Sequence, residues 1–269
     1  MSLPAPAPGS VVVVTGASSG IGAELARSLA ALGHDLVLVA RREDRLQQLA
    51  EELRGEHGRD VLVHAADLTD QAAREGLIGF VAGTGRTITG LCNNAGYGLA
   101  GLAWERDLAQ SRDMIELNVV ALHDLTLLVV PDMIRAGTGA VLNVASVAAY
   151  QPLPGMAAYA ATKAFVHAFS EALHEELAGT GVSVTTLYPG PVPTEFGDNA
   201  GLDLEGGSPG IMIVQPGEVA RQAVAAMVAG RRSVNPGTVN RVTGLLGRYS
   251  PRSVLLPVMK RQLRSRTGS

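Results

Sequence analysis

The 269 residues predict an α/β fold: one doubly wound parallel sheet with helices on both faces. Three observations carry this. Short β-branched or apolar runs alternate six times with stretches of other character, several of clear helical period. Hydrophobic residues make up 46% and charged ones 17%, enough for a full core and too apolar for a disordered chain. A glycine-rich turn stands between the first apolar run and the first amphipathic segment.

The N-terminal residues 1–9 are Pro/Ala-rich and lack the charged start and apolar core of a signal peptide, so they read as a short disordered lead. Val11 to Val14 is a continuous apolar run, as expected of a strand covered on both faces. Leu36 to Ala40, Val61 to Ala65, Leu91-Cys92, Ala140 to Ala145 and Val182 to Leu187 repeat the pattern. Between them, Ile21, Leu25, Leu29 and Leu32 form one apolar helical face, and Leu46, Leu49 and Leu53 another. Longer helices fit about 104–134 and 157–178. Arg231 to Val234 is a candidate seventh strand. No stretch approaches 18 uninterrupted apolar residues, so a soluble, cytoplasmic protein is expected. The lone Cys92 excludes a disulfide framework and fits an inert core thiol. His174-Glu175-Glu176 begins like a zinc motif, but Ala178 stands where the second histidine belongs, and no metal is expected.

Thr15-Gly16-Ala17-Ser18-Ser19-Gly20-Ile21-Gly22 follows the first strand and opens the first helix. Glycines there let backbone amides approach a pyrophosphate, and the helix N-terminus adds a positive dipole end. The spacing is G-x-x-x-G-x-G. The same residues match G-x-S-x-G, with Ser18 as a hydrolase nucleophile. That reading needs a histidine near the chain end, and His174 is the last one. Arg41 and Arg42 follow the second strand, which ends at Ala40, where an NAD enzyme would place an acid for the ribose 2′-hydroxyl. Cations there suit a 2′-phosphate and favour NADP(H) over NAD(H); a solvated arginine pair is the bland alternative.

Further motifs follow in order. They are Asp67-Leu68, Asn93-Asn94-Ala95-Gly96, Asn118, Ser146, Tyr159-Ala160-Ala161-Thr162-Lys163, and Pro189-Gly190 with Thr194. Over roughly residues 10–235 this set resembles the short-chain dehydrogenase/reductase family, whose fold is a Rossmann-type sheet. The wording Val39 to Asp44 and Asn94 to Gly98 is most similar to its NADP-preferring bacterial oxidoreductases. The resemblance implies a catalytic tetrad of Asn118, Ser146, Tyr159 and Lys163. It also implies cofactor contacts by Gly16, Ser18, Ser19, Gly20, Ile21, Gly22, Arg41, Arg42, Asp67, Leu68, Asn93, Ala95, Gly96, Tyr159, Lys163, Pro189, Val192 and Thr194. A homodimer or homotetramer is implied as well.

The tetrad makes chemical sense by itself. Tyr159 and Lys163 are one helical turn apart and share a face. A nearby ammonium lowers a phenol's pKa toward the range of a general acid/base. A serine hydroxyl can stabilise charge on the substrate oxygen. Lys163 is one of two lysines against 20 arginines, which suggests a role arginine cannot fill. By resemblance, Asn118 would hold a water behind the lysine. The expected activity is NADP(H)-dependent interconversion of a carbonyl and a secondary alcohol. A non-catalytic NADP(H)-binding sensor is the alternative.

Three loops reach the substrate edge: Tyr97 to Ala103, Ala148 to Ala158, and Pro193 to Gln215. Their residues Tyr97, Tyr150, Leu153, Phe196, Leu202, Leu204, Ile211 and Met212 suit a mainly apolar substrate, and residues 193–215 contain no lysine or arginine.

The net charge of −3 hides an asymmetry. Residues 1–218 hold all 25 acids and 12 of the 22 bases; residues 219–269 hold the other 10 bases and no acid. The domain is therefore placed at 10–237, with a basic amphipathic helical extension at 238–269. That extension could cover the acidic body or a partner subunit, lie on an anionic membrane surface, or bind nucleic acid. The acidic body argues against the last reading.

Overall fold

A computed structural model describes residues 2–200, 210–257 and 259. Seven parallel strands lie in the order β3-β2-β1-β4-β5-β6-β7. They are β1 (Ser10–Thr15), β2 (Asp35–Ala40), β3 (Val61–Ala65), β4 (Thr87–Asn93), β5 (Gly139–Val144), β6 (Val182–Leu187) and β7 (Ser233–Val234). Chain direction across the sheet reverses between β1 and β4, which opens a crevice at the carboxyl ends of those strands.

Alternation along β1 separates the two layers. Val12 and Val14 face α1 (Gly20–Ala31), α2 (Glu43–His57) and α8 (Pro216–Val228) through Leu25, Leu29, Leu46, Leu53 and Met227. Val11 and Val13 face α3 (Gln71–Gly83) and α5 (Leu122–Ala136) through Leu77, Val81, Leu125, Val129 and Met133, with Leu173 of α6 (Ala157–Glu176) in the same layer. Each fully buried side chain of this kind contributes about 1.5–3 kcal/mol.

Several boundaries differ from the sequence reading. Helix α3 carries no clear periodic signal because its third core position is a cation, Arg74, beside Leu77 and Val81. Strand β4 begins at Thr87, since Thr89 and Gly90 dilute its apolar run. The long helix begins with α4 at Leu108, capped by Asp107 accepting from the Gln110 amide, rather than near 104. It passes through a π-helical stretch, Glu116–Ala121, into α5. Residues 108–136 together are long and apolar enough to cross a membrane by length and composition, and one side of them packs on the sheet.

Both chain ends also depart from expectation. The lead is pinned: Leu3 is buried, and its amide donates to the Met227 carbonyl at 3.2 Å. Helix α9 (Thr238–Tyr249) docks on the body, so residue 237 is no structural boundary. Asn240 is fully buried and donates to the carbonyls of Met212 (2.9 Å) and Pro236 (3.2 Å). Gly244 lies on the ring of Tyr150 and Gly247 on Gln151, too close for any Cβ. Charge does not hold the helix there: among the described residues, Arg241, Arg248 and Arg252 form no ion pair. Its other side leaves Val242, Leu246 and Tyr249 exposed.

Candidate active site

The crevice holds a cavity of about 800 Å³ that runs from the first turn to the start of α6. At its first wall the glycines have distinct duties. Gly16 (φ +66°) and Gly20 (φ +57°) need the left-handed region that glycine enters without strain. A Cβ on Gly16 would stand 2.8 Å from Asn94 Nδ2 and 2.9 Å from Ala95 Cα. Gly22 does not line the cavity; its bare Cα packs against the Gly16 carbonyl. Ser19 precedes α1 in extended conformation, and α1 has no acid in its first turn to occupy its leading amides. Those amides therefore form a free cradle for a phosphate, as a dinucleotide requires.

Thr15 keeps that cradle in place. Its hydroxyl donates to the Cys92 carbonyl (3.2 Å) and accepts from the Asn94 and Ala95 amides (3.0 Å each). The Asn94 side chain donates to the carbonyls of Thr15 (3.0 Å) and Gly16 (3.2 Å). Asn93, expected at the cofactor, points into the core instead. Its amide donates to Thr126 Oγ1 and Asn143 Oδ1, both at 2.9 Å, tying β4 to α5 and β5. Alternation along the strand decides this: of two adjacent asparagines, one faces the core and its neighbour faces the cleft.

Beyond the turn lie Arg41 and Arg42. The Arg41 side chain is 75% exposed, 4.0 Å from the Asp67 carboxylate. Arg42 is more engaged: Nη2 donates to Ser18 Oγ (3.0 Å) and Ser19 Oγ (2.9 Å), and Nη1 to Glu195 (2.8 Å). The serines accept these bonds and the cavity lining contains no histidine, so the hydrolase reading of Ser18 has no base. Asp67 accepts from the amide and hydroxyl of Thr69 and with Leu68 forms the wall next to Arg41. Ile21, Gly96, Pro189, Val192 and Thr194 line the same cavity.

Ser146, Tyr159 and Lys163 meet at the deep end. Tyr159 is 7% exposed and Lys163 5%. Lys163 Nζ donates to the Val144 carbonyl at 2.8 Å and lies 5.9 Å from the Tyr159 ring centroid. Burial pushes the Lys163 ammonium down to about 8 and the Tyr159 phenol up to about 12, while the Ser146 hydroxyl pulls the phenol the other way. Desolvation leads for both groups in the protein alone, and the expected lowering of the tyrosine by its lysine does not show. Ser146 Oγ accepts from the Ala148 amide at 3.1 Å, and its hydroxyl bears on the Tyr159 phenol.

Asn118 sits in the π-helical stretch. Its side chain accepts from the Tyr97 amide (3.1 Å) and donates to the Tyr97 carbonyl (2.9 Å) and Thr162 Oγ1 (3.1 Å). Between Asn118 and Lys163 stands Gly96, where a Cβ would lie 2.7 Å from Asn118 Oδ1 and 3.6 Å from Lys163 Nζ. Glycine at 96 keeps the two polar groups within reach of one another.

Apolar and aromatic side chains pack around Tyr159: Tyr97, Leu99, Leu153, Met156 and Phe196. The Phe196 ring lies 5.4 Å from that of Tyr159. Tyr150, expected beside the substrate, lies elsewhere. It stacks on Tyr188 at 4.9 Å and exchanges hydrogen bonds with Asn235 under α9, because the turn at Val147–Tyr150 aims it away from the cavity. Phe196 and Glu195 open α7 (Glu195–Ala200), while Leu202 and Leu204 lie outside the described residues. Glu195 is the site residue that the sequence reading missed.

A family model described as short chain dehydrogenase matches residues 10–205. Sulfoacetaldehyde reductase 2 of Chromohalobacter salexigens is 42% identical over 203 residues, covering 72% of this chain and 79% of that protein. A short-chain dehydrogenase from Sphingobium yanoikuyae, solved in complex with NADPH, is similar with a TM-score of 0.80 and 36% identity over 88% of this chain and 92% of that one. A Burkholderia phymatum short chain dehydrogenase/reductase solved with NAD is similar with a TM-score of 0.79 and 26% identity, over 88% and 92% of the two chains.

Proposed function

The chain belongs to the short-chain dehydrogenase/reductase family, and on that basis we propose an NADP(H)-dependent enzyme that interconverts a carbonyl and a secondary alcohol on a mainly apolar small molecule. The observation that carries this reading is the buried meeting of Ser146, Tyr159 and Lys163 at the end of a cavity whose other wall is a phosphate cradle. When bound, the nicotinamide supplies or accepts the hydride. The residues of the chain do the rest. In reduction, the Ser146 hydroxyl turns from Tyr159 to bond the substrate oxygen, and Tyr159 gives that oxygen a proton. Lys163, fixed on Val144, keeps its other N–H groups for the cofactor ribose and stabilises the phenolate left behind. Asn118 fixes the backbone of Tyr97 and, through Thr162, the first turn of α6.

Arg41, Arg42 and Ser18 support NADP(H) over NAD(H) by offering guanidinium and hydroxyl donors where a 2′-phosphate would stand. The substrate reading departs from the name of the Chromohalobacter relative. A sulfonate needs a cation, and the cations that line the cavity among the described residues, Arg41, Arg42 and Lys163, stand at the cofactor wall and in the tetrad. The loop 193–215 contains no lysine or arginine to supply one.

Turnover tests the proposal. NADPH oxidation with a panel of apolar ketones and aldehydes should be measurable and fall by about 10²–10⁴-fold in Tyr159→Phe. Tight NADPH binding without turnover on any carbonyl would support the sensor instead. A homodimer or homotetramer fits the exposed Leu127, Leu128, Ile134 and Phe165 on α5 and α6, and light scattering decides it.

A further inference from the structure

Glu195 is the first residue of α7, yet its side chain reaches back across the cleft to the second strand. One carboxylate oxygen accepts from Arg42 Nη1 at 2.8 Å and the other pairs with Arg45 Nη1. The same Arg42 guanidinium bonds Ser18 and Ser19. Two guanidiniums thus converge on one carboxylate, and Arg42 ties it to the cofactor turn beside the wall formed by Ala40, Arg41 and Asp67. Hydrogen bonds from Arg45 and then Arg42 hold the Glu195 carboxyl down at about 2, so it is ionised throughout the physiological range.

We propose that Glu195 is an internal competitor of the cofactor's 2′-phosphate, holding the phosphate's place on Arg42 until NADP(H) displaces it. The inference rests on the NADP(H) reading above. A 2′-phosphate carries about −1.5 to −2 charges near pH 7 and offers three acceptor oxygens, against one charge and two oxygens for a carboxylate. Two such anions cannot share Arg42 without repulsion, so the phosphate takes the guanidinium and Glu195 swings out. Glu195 is joined directly to Phe196, which stands on Tyr159 and against Gly98. Displacement therefore reaches the substrate side. NADP(H) releases the start of α7, whereas NAD(H), with a free 2′-hydroxyl, leaves the pair closed.

The test measures dissociation constants of the full chain for NADPH, NADH, 2′,5′-ADP and 5′-AMP. Removing the competitor in Glu195→Gln should tighten NADPH and 2′,5′-ADP by about three- to tenfold, the range expected for two exposed ion pairs. NADH and 5′-AMP should change less than about twofold, which also shows that the variant is folded. Unchanged or weaker binding of NADPH by Glu195→Gln overturns the proposal. Arg42→Ala separates the two levels of the argument. If it abolishes the preference for NADPH while Glu195→Gln has no effect, only the competitor role fails. If it leaves the preference intact, the phosphate does not sit on Arg42 and the competitor role fails while the NADP(H) reading stands; equal affinity of the wild type for NADPH and NADH fails both.

Discussion

Lys163 and Val144 are joined by a 2.8 Å hydrogen bond that anchors a buried ammonium to the end of β5. The cost of that burial is legible in pH. The lysine sits at about 8 in the folded protein against an ordinary 10.5, so between those values the unfolded chain binds more protons than the folded one. Stability should rise with pH through that window. Relative to Lys163→Met, the wild type should gain up to about 3 kcal/mol between pH 7 and 10. Urea denaturation of both proteins at pH 7.0 and 9.5 checks the sign and stays below the titration of Tyr159. A constant gap would show that the ammonium is solvated.

Arg41 stands free for a new partner, 75% exposed and only loosely facing Asp67. Arg41→Ala should weaken NADPH by about tenfold, the loss of one charge-assisted contact at an exposed site. NADH should be unaffected. Initial-rate kinetics with each cofactor decide it, and equal losses for both would remove Arg41 from the phosphate site.

Gly22 and Gly55 make a matched pair. Gly22→Ala drives a methyl into the Gly16 carbonyl, and we expect a loss of about 1–3 kcal/mol together with weakened NADPH binding. Gly55 lies near the end of α2 with open space where its Cβ would be and an ordinary φ. Gly55→Ala should stabilise by about 0.5–1 kcal/mol and leave cofactor binding alone. Thermal melts of the two variants should move in opposite directions.

Arg74 is 3% exposed and bonds four groups on two sides of the site. It donates to the Leu68 and Thr69 carbonyls on the cofactor wall and pairs at 3.0 Å with Glu116, in the π-helical stretch of Asn118, and with Asp124. Arg74→Met should cost about 3 kcal/mol, the low end for breaking a buried pair, since both acids are partly exposed and can rehydrate. Chemical denaturation gives the number. A change below about 0.5 kcal/mol would mean that the network adds nothing.

What could be read in the residues follows from where each signal is local. The strands are legible because both faces are covered, so runs such as Val11–Val14 stay apolar without interruption. The pairing of Tyr159 with Lys163 is a one-turn helical relation and survives unchanged into the structure. Helix α3 is hidden because its core cation is satisfied by acids from α5 and the π-helical stretch, a long-range fact. Asn93 and Asn94 differ only in which way a strand end turns them. Tyr150 was assigned to the substrate by loop position, and a short 3-10 turn sends it to the opposite side. Glu195 is invisible because its partners lie some 150 residues earlier.

The bond between Leu3 and Met227 has a bearing on how the protein is made. A ribosome that has released the first residues must add about 220 more before the acceptor exists, which takes roughly 10–45 s at ordinary elongation rates. Until then the face of β1 can pack on α1 and α2 alone, and the seam of Leu3 with α8 is among the later contacts to form.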